Sequence, residues 1–159
     1  MKLASGAAKV TAMRTAGIVV GLGTDGAASN NDLDMFEATR QAAFLAKLQT
    51  GDPRAVPARA ALQMATIDGA RALGMDRAIG SLETGKRADL ITVSMTSARQ
   101  TPMYDPLSHL VYVTRGDDVR TTIVNGRILM RDRKVLTLDE SQVLSEARAL
   151  AEKVKAAVR

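Results

Sequence analysis

Few residues in this sequence could do chemistry. Its 159 residues include one histidine, His109, and no cysteine. A catalytic zinc takes about three protein ligands and keeps a further position open, and histidine normally supplies most of the three. The composition therefore excludes a self-contained zinc centre of that kind, along with disulfides and thiolate nucleophiles. A serine triad would have to use His109, and no nucleophile motif lies near it. His109 reads either as a packed, hydrogen-bonded ring or as a site residue. Gly21-Leu22-Gly23 and Gly26 look loosely like a phosphate loop. The Walker lysine is missing and the spacing is not Gly-x-Gly-x-x-Gly, so phosphate binding is set aside.

Asp25 stands apart. It follows the apolar run Ile18-Val19-Val20-Gly21-Leu22, with Gly23 and Gly26 close on either side. Glycine lets another group approach the backbone closely. One reading makes Asp25 a turn aspartate capping the next helix. The other makes it a metal ligand or proton-transfer base at the mouth of a barrel. Ser29 and Asn30 follow on the same polar stretch, where they could cap a helix.

The elements that would position these residues fall into three sections. Residues 9–16 predict a short helix ended by Gly17. Residues 18–22, apolar without alternation, predict a parallel strand buried on both faces. A long helix is expected over residues 33–48, so helix, strand, polar loop and helix make an α/β unit. In such units the residues just past a strand's carboxyl end are the favoured place for chemistry. Residues 51–74 read as small helices, with Pro57 at a first turn and Gly74 as a stop. Residues 88–93 and 110–114 read as strands, the latter just after His109. Residues 119–124 and 127–130 flank Asn125-Gly126, a strong hairpin signal because both turn positions need positive φ. Residues 141–158 predict a closing helix, with Thr137-Leu138-Asp139-Glu140 as a capping box. Val143, Ala147, Leu150, Val154 and Ala157 fall on one of its faces.

Composition narrows the classes. Hydrophobic residues make up 46% and charged residues 25%, a globular balance. The longest apolar run, residues 17–23, is far short of the ~20 residues of a membrane span. The net charge of +5 is dispersed among 17 acidic residues, and aromatics total 3%. Little is available to stack nucleic-acid bases, so neither a nucleic acid nor a membrane is an expected partner. With no cysteine, cytoplasmic residence is the default expectation.

Six motifs in order carry a resemblance. They are Lys2-Leu3-Ala4-Ser5-Gly6, Gly23-Thr24-Asp25-Gly26-Ala27-Ala28-Ser29-Asn30-Asn31 and Met64-Ala65-Thr66-Ile67-Asp68-Gly69-Ala70. Ile79-Gly80-Ser81-Leu82-Glu83-Thr84-Gly85-Lys86-Arg87-Ala88-Asp89-Leu90, Pro106-Leu107-Ser108-His109-Leu110-Val111-Tyr112 and Thr121-Thr122-Ile123-Val124-Asn125-Gly126 follow. Together they resemble the carboxyl-terminal part of the metal-dependent amidohydrolases, nearest the 5-methylthioadenosine/S-adenosylhomocysteine deaminase group. The resemblance implies an α/β fold: the last strand and helices of a TIM-type (β/α)8 barrel over residues 1–78. Strands of a composite β-sandwich would cover residues 79–136, and a carboxyl-terminal helix residues 137–159.

The same resemblance implies what the chain would do. Metal-assisted hydrolysis of a C–N bond outside peptides is expected. A divalent metal, zinc or alternatively iron, would bring the pKa of its bound water towards ~7. Asp25 would bind the metal and accept the water proton, while Ser29 and Asn30 would line the site of a purine nucleoside. Hydroxide attack at the amino-bearing ring carbon would release ammonia. The family's His-x-His motif, its further histidines and its proton-transferring glutamate have no counterpart in this sequence. The resemblance is therefore to the last third of an enzyme, expected to be inactive alone and to work in a homo-oligomer. Triazine chlorohydrolases and guanine deaminases are similar over these motifs and stay open as alternatives. So does a non-catalytic remnant that only folds or associates.

Overall fold

The computed structural model describes residues 3–158, so Met1, Lys2 (the first residue of the first motif) and Arg159 (the last of the section expected as a terminal helix) lie outside the described residues. Helix α1 (Val10–Thr15) closes where Gly17 takes a left-handed φ of 77°. A four-residue helix α2 (Ala27–Asn30) interrupts the stretch expected to be loop. It is followed by the long helix α3 (Met35–Thr50), which begins at Asp34 and ends at Gly51. Asp34 starts it because its carboxylate accepts the Phe36 N–H at 2.8 Å, satisfying a donor that the first turn leaves unpaired. Helices α4 (Ala58–Met64) and α5 (Ile67–Ala72) follow, the first preceded by Pro57 as expected.

The core forms where α3, α4 and a later helix, α6 (Pro106–Tyr112), meet. Thr39, Ala43 and Ala46 lie on one face of α3 at steps of four and three, and all three are buried. Ala61 and Met64 of α4 and Val111 of α6 complete the cluster with Ala55 and Val56. The alanines let the helix axes approach, and Met64 and Val111, both fully buried, fill the space between.

Strands β1 (Leu90–Val93), β2 (Val119–Val124), β3 (Arg127–Arg131) and β4 (Lys134–Val135) form one antiparallel sheet in the order β1-β2-β3-β4. Leu90 stands opposite Ile123, Ile123 opposite Ile128, and Met130 opposite Val135. The Asn125-Gly126 turn has φ of 50° and 76°, the positive pair that a tight hairpin requires. Its tip is pinned to the chain entering β1, since Asn125 N–H donates to Asp89 Oδ1 at 2.6 Å and Gly126 N–H to Ala88 O at 3.0 Å.

Three expectations are corrected. Residues 18–22 form no strand. Along this stretch the backbone bonds are Ile18 N–H to Met13 O and Leu22 N–H to Met64 O, both 3.0 Å, and neither belongs to a ladder. A parallel strand needs neighbours to accept its bonds, and all strands among the described residues lie in the antiparallel sheet. Residues 110–114 are not a strand either; most of them belong to α6. Asp105 accepts from Leu107 and Ser108 N–H at 3.1 and 3.2 Å, Pro106 occupies the first turn, and Val111 is drawn into the helical core. That start signal and the packing outweigh the strand preference of the β-branched residues. Finally, α7 (Glu140–Ala157) is capped by Asp139, which accepts from Gln142 N–H at 3.1 Å, rather than by a capping box from Thr137.

Candidate functional site

The Asp25 turn is built from short-range bonds. Asp25 has a left-handed φ of 60°, a conformation that aspartate tolerates better than most side chains. Gly26 N–H donates to Asp25 Oδ1 at 2.8 Å, and Ser29 Oγ–H donates to Asp25 Oδ2 at 2.6 Å. Ser29 can reach back because α2 lifts it one turn above the carboxylate. Those two donors, the Ser29 hydroxyl first and the Gly26 amide second, hold the Asp25 carboxyl below its ordinary range. The carboxylate is thus ionised, exposed and fixed in direction, with lone pairs left on both oxygens.

Asn30 braces the loop. Its Nδ2 donates to the carbonyl oxygens of Thr24, at 2.9 Å, and of Asp32. Asp32 Oδ1 in turn accepts the Asp34 N–H at 3.0 Å. Neither Ser29 nor Asn30 caps α3; Asp34 does, and α2 itself has Gly26 at its cap position with no side-chain bond. The structure therefore brings Asp25, Ser29 and Asn30 onto one loop. His109 lies half-buried in α6, its Nδ1 3.3 Å from Asp105 O.

Two anchors hold this loop to the rest of the molecule. Gly21 sits so close to α5 that a Cβ there would come within 2.9 Å of Gly69 Cα, which sets the approach to Asp25. At the far end Asp34 Oδ2 accepts the Gly116 N–H at 2.8 Å, while Arg40 donates to Thr114 O at 2.6 Å. A Cβ on Gly116 would stand 3.2 Å from Asp34 Oδ2. The Asp34–Gly116 tie escaped the sequence reading. The N-cap position of Asp34 ahead of a helical run was a usable signal for half of it; the partner 82 residues away was not.

The donor set does not make a metal centre. No group of three or more His, Cys, Asp or Glu is placed to hold an ion among the described residues. The groups bonded to Asp25 are hydrogen-bond donors, and zinc needs about three ligands. These residues alone do not fit a catalytic metal. No helix among them is long and apolar enough to cross a membrane.

A profile of the amidohydrolase family matches residues 1–129. The chain is 56% identical over 156 residues to the 5-methylthioadenosine/S-adenosylhomocysteine deaminase of Halobacterium salinarum, covering 98% of the chain and 36% of that protein. It is 54% identical to the 5'-deoxyadenosine deaminase of Methanosarcina mazei, covering 99% and 36%. The crystal structure of an adenosine deaminase from Xanthomonas campestris with bound zinc superposes with a TM-score of 0.94 at 38% identity, covering 98% of this chain and 35% of that one. An atrazine chlorohydrolase from Arthrobacter aurescens, a mutant complexed with zinc and atraton, superposes with a TM-score of 0.78 at 28% identity, covering 91% and 32%. The chain spans just over a third of the length of the curated relatives it matches.

Proposed function

The chain belongs to the amidohydrolase family, and from that premise we propose that it serves a longer hydrolase that removes the amino group of a 5′-substituted adenosine, such as 5-methylthioadenosine or S-adenosylhomocysteine. The observation that carries this reading is identity above one half, along nearly the whole chain, to deaminases of such nucleosides. The far lower identity to the atrazine chlorohydrolase disfavours the triazine alternative.

On this reading residues 1–78 close a barrel, residues 79–136 supply strands of a composite sandwich, and residues 137–159 are a terminal helix. Helices α1 to α5 precede the first strand and α7 follows the last, which supports that division, while α6 lies between β1 and β2 and packs back on α3 and α4. Zinc in the solved neighbours supports a divalent metal, most of whose ligands would come from residues outside this chain. Asp25 is the one donor this chain would contribute. When bound, the metal supplies an acidified water.

The chain's own residues do the rest by position. Ser29 and Gly26 aim the Asp25 carboxylate and keep it ionised, so that it can take up a proton at Oδ2 or Oδ1. Asn30 holds the loop open by bonding both of its ends, with its own Oδ1 left to meet a substrate. Asp34 ties that loop to the sheet side of the molecule. The isolated chain is expected to be inactive, because one carboxylate cannot hold and orient the reactants. Positioning is worth roughly 7–11 kcal/mol of such a barrier.

The experiment is a graft. Replacing the matching third of the Halobacterium deaminase by this chain gives a full-length enzyme, assayed for ammonia release from 5-methylthioadenosine and S-adenosylhomocysteine. Activity is expected, and Asp25→Ala should cost on the order of 10²–10⁴-fold in kcat. A folded graft that turns over only triazines or guanine, or that keeps its rate with Asp25→Ala, overturns the reading.

A further inference from the structure

The two ends of the Asp25 loop are held by different parts of the chain. At the front, Leu22 N–H donates to Met64 O at 3.0 Å and Gly21 is seated on α5. At the back, Asp34 bonds in two directions. Its Oδ1 accepts the Phe36 N–H at 2.8 Å, and its Oδ2 accepts the Gly116 N–H, also at 2.8 Å. The first bond starts α3, and a serine would supply it as well. The second bond adds nothing to the cap. It reaches across 82 residues to a different part of the fold.

The Gly116 donor is itself a fixed point. Arg133, between β3 and β4, donates from Nη1 to the carbonyl oxygens of Gly116 and Val119 at 3.0 and 3.3 Å. Asp118, only 7% exposed, accepts the Arg115 N–H at 2.9 Å and pairs with Arg99. The turn 115–118 is thus moored to the sheet independently of α3. It also leaves Asp34 little slack, since a Cβ on Gly116 would stand 3.2 Å from Oδ2 and 3.3 Å from Cγ.

Between its two anchors the loop is closed on itself. Asp34 N–H donates to Asp32 Oδ1 at 3.0 Å, and Asn30 Nδ2 bridges Asp32 O and Thr24 O. Hydrogen bonds therefore run without a break from Gly116 through Asp34, Asp32 and Asn30 to Thr24, the residue before Asp25. Every bond on that path has both partners within this chain. Ahead of the loop, Gly23 is a joint: a Cβ there would meet nothing within 4 Å. With the back anchor cut, the loop would swing about that joint and carry the carboxylate with it.

We propose that Asp34 is a positioning residue for the Asp25 carboxylate: by holding the Gly116 N–H it makes the sheet the frame against which that carboxylate is placed. Asp34 touches no reacting atom and acts through the loop. Its effect on catalysis rests on the deaminase reading, whereas its effect on the loop belongs to this chain alone.

The test uses Asp34→Ser, which keeps an oxygen for the Phe36 N–H and has none for Gly116. In the 159-residue chain, solvent exchange of the Gly26 amide and the Asn30 side-chain amide is followed by NMR. Both should exchange about tenfold faster, the effect of losing one hydrogen bond. In the grafted deaminase, kcat should fall about 10–10²-fold while KM stays within about twofold. Gly116→Ala displaces the same carboxylate from the other side and should give both losses. The double variant should lose no more than the worse single one, because the two substitutions break one bond. Arg40→Gln is the control, since it cuts the other tie between α3 and this segment, to Thr114 O, off the path to Asp25. It should lower the melting temperature yet leave both exchange rates and kcat within about twofold. Unchanged exchange in Asp34→Ser, an undiminished kcat in its graft, or equal losses from Arg40→Gln overturns the proposal. A graft with Asp34 intact and no activity counts against the deaminase reading, and the exchange rates then decide the positioning alone.

Discussion

The run at residues 18–22 and strand β2 (Val119–Val124) are alike in composition, both rich in β-branched residues, yet they end differently. Strand β2 has partners on both sides, because β1 and β3 belong to the same chain and a two-residue turn brings β3 back beside it. The run has one glycine seated against α5 and no ladder; Ile18 and Val19 stay 55% and 49% exposed. An antiparallel hairpin can be closed locally, whereas a parallel strand needs neighbours that arrive through long connections. The chain thus holds a sheet complete enough to form and one site loop whose supports are only partly its own.

The contrast breaks first on stability. Met64→Ala, in the core between α4 and α6, should cost about 2–5 kcal/mol, and Ile18→Ala on the exposed run should stay within about 0.5 kcal/mol. Denaturant melts of the two variants check this. Equal losses would mean that the run is packed after all.

A smaller effect is expected at the tie between the two regions. Asp34→Ala removes the cap of α3 and leaves Gly116 N–H without its acceptor, so a loss of about 1–3 kcal/mol is expected. Gly116→Ala should act in the same direction, since its Cβ meets the same carboxylate. Additive losses in the double variant would show that the two residues do not work as a pair.

The smallest effect sharpens the site itself. The Asp25 carboxyl is held below its ordinary range by Ser29 and then Gly26, so its ionised form is favoured by folding. A lowered folded-state pKa contributes stability above the unfolded value of ~3.9, and that contribution is lost as pH falls through the folded value. On an exposed carboxylate the stability change is slight, so the readout is the titration midpoint by carboxyl-carbon NMR. Ser29→Ala should raise that midpoint towards the ordinary value. A midpoint that stays put would transfer the cause to Gly26.

Legibility followed the range of the interactions. Asn125-Gly126 announced its hairpin because two adjacent residues must take positive φ, and Gly17 and Gly74 mark helix ends for a similar reason; Gly51, which ends α3, was not read as a stop. Asp25, Ser29 and Asn30 were legible as a group because they lie within six consecutive residues. Their bonding was not: the expected capping role belongs to Asp34, and Ser29 turns to the carboxylate instead.

By itself, then, the sequence determined the Asn125-Gly126 turn, the ends of most helices and the segment that carries Asp25. Each depends on the φ that a residue tolerates or on a donor within a few positions. The tertiary structure weighed in on whether residues 110–112 would be helix or strand, since as a helix capped by Asp105 they bring Val111 into the buried cluster with Ala43, Ala61 and Met64. It also decided that Asp34 would find Gly116, whereas residues 18–22 meet no strand among the described residues. Local preference among β-branched residues spans only about 1 kcal/mol, so burial and the presence of a partner decide between the two outcomes.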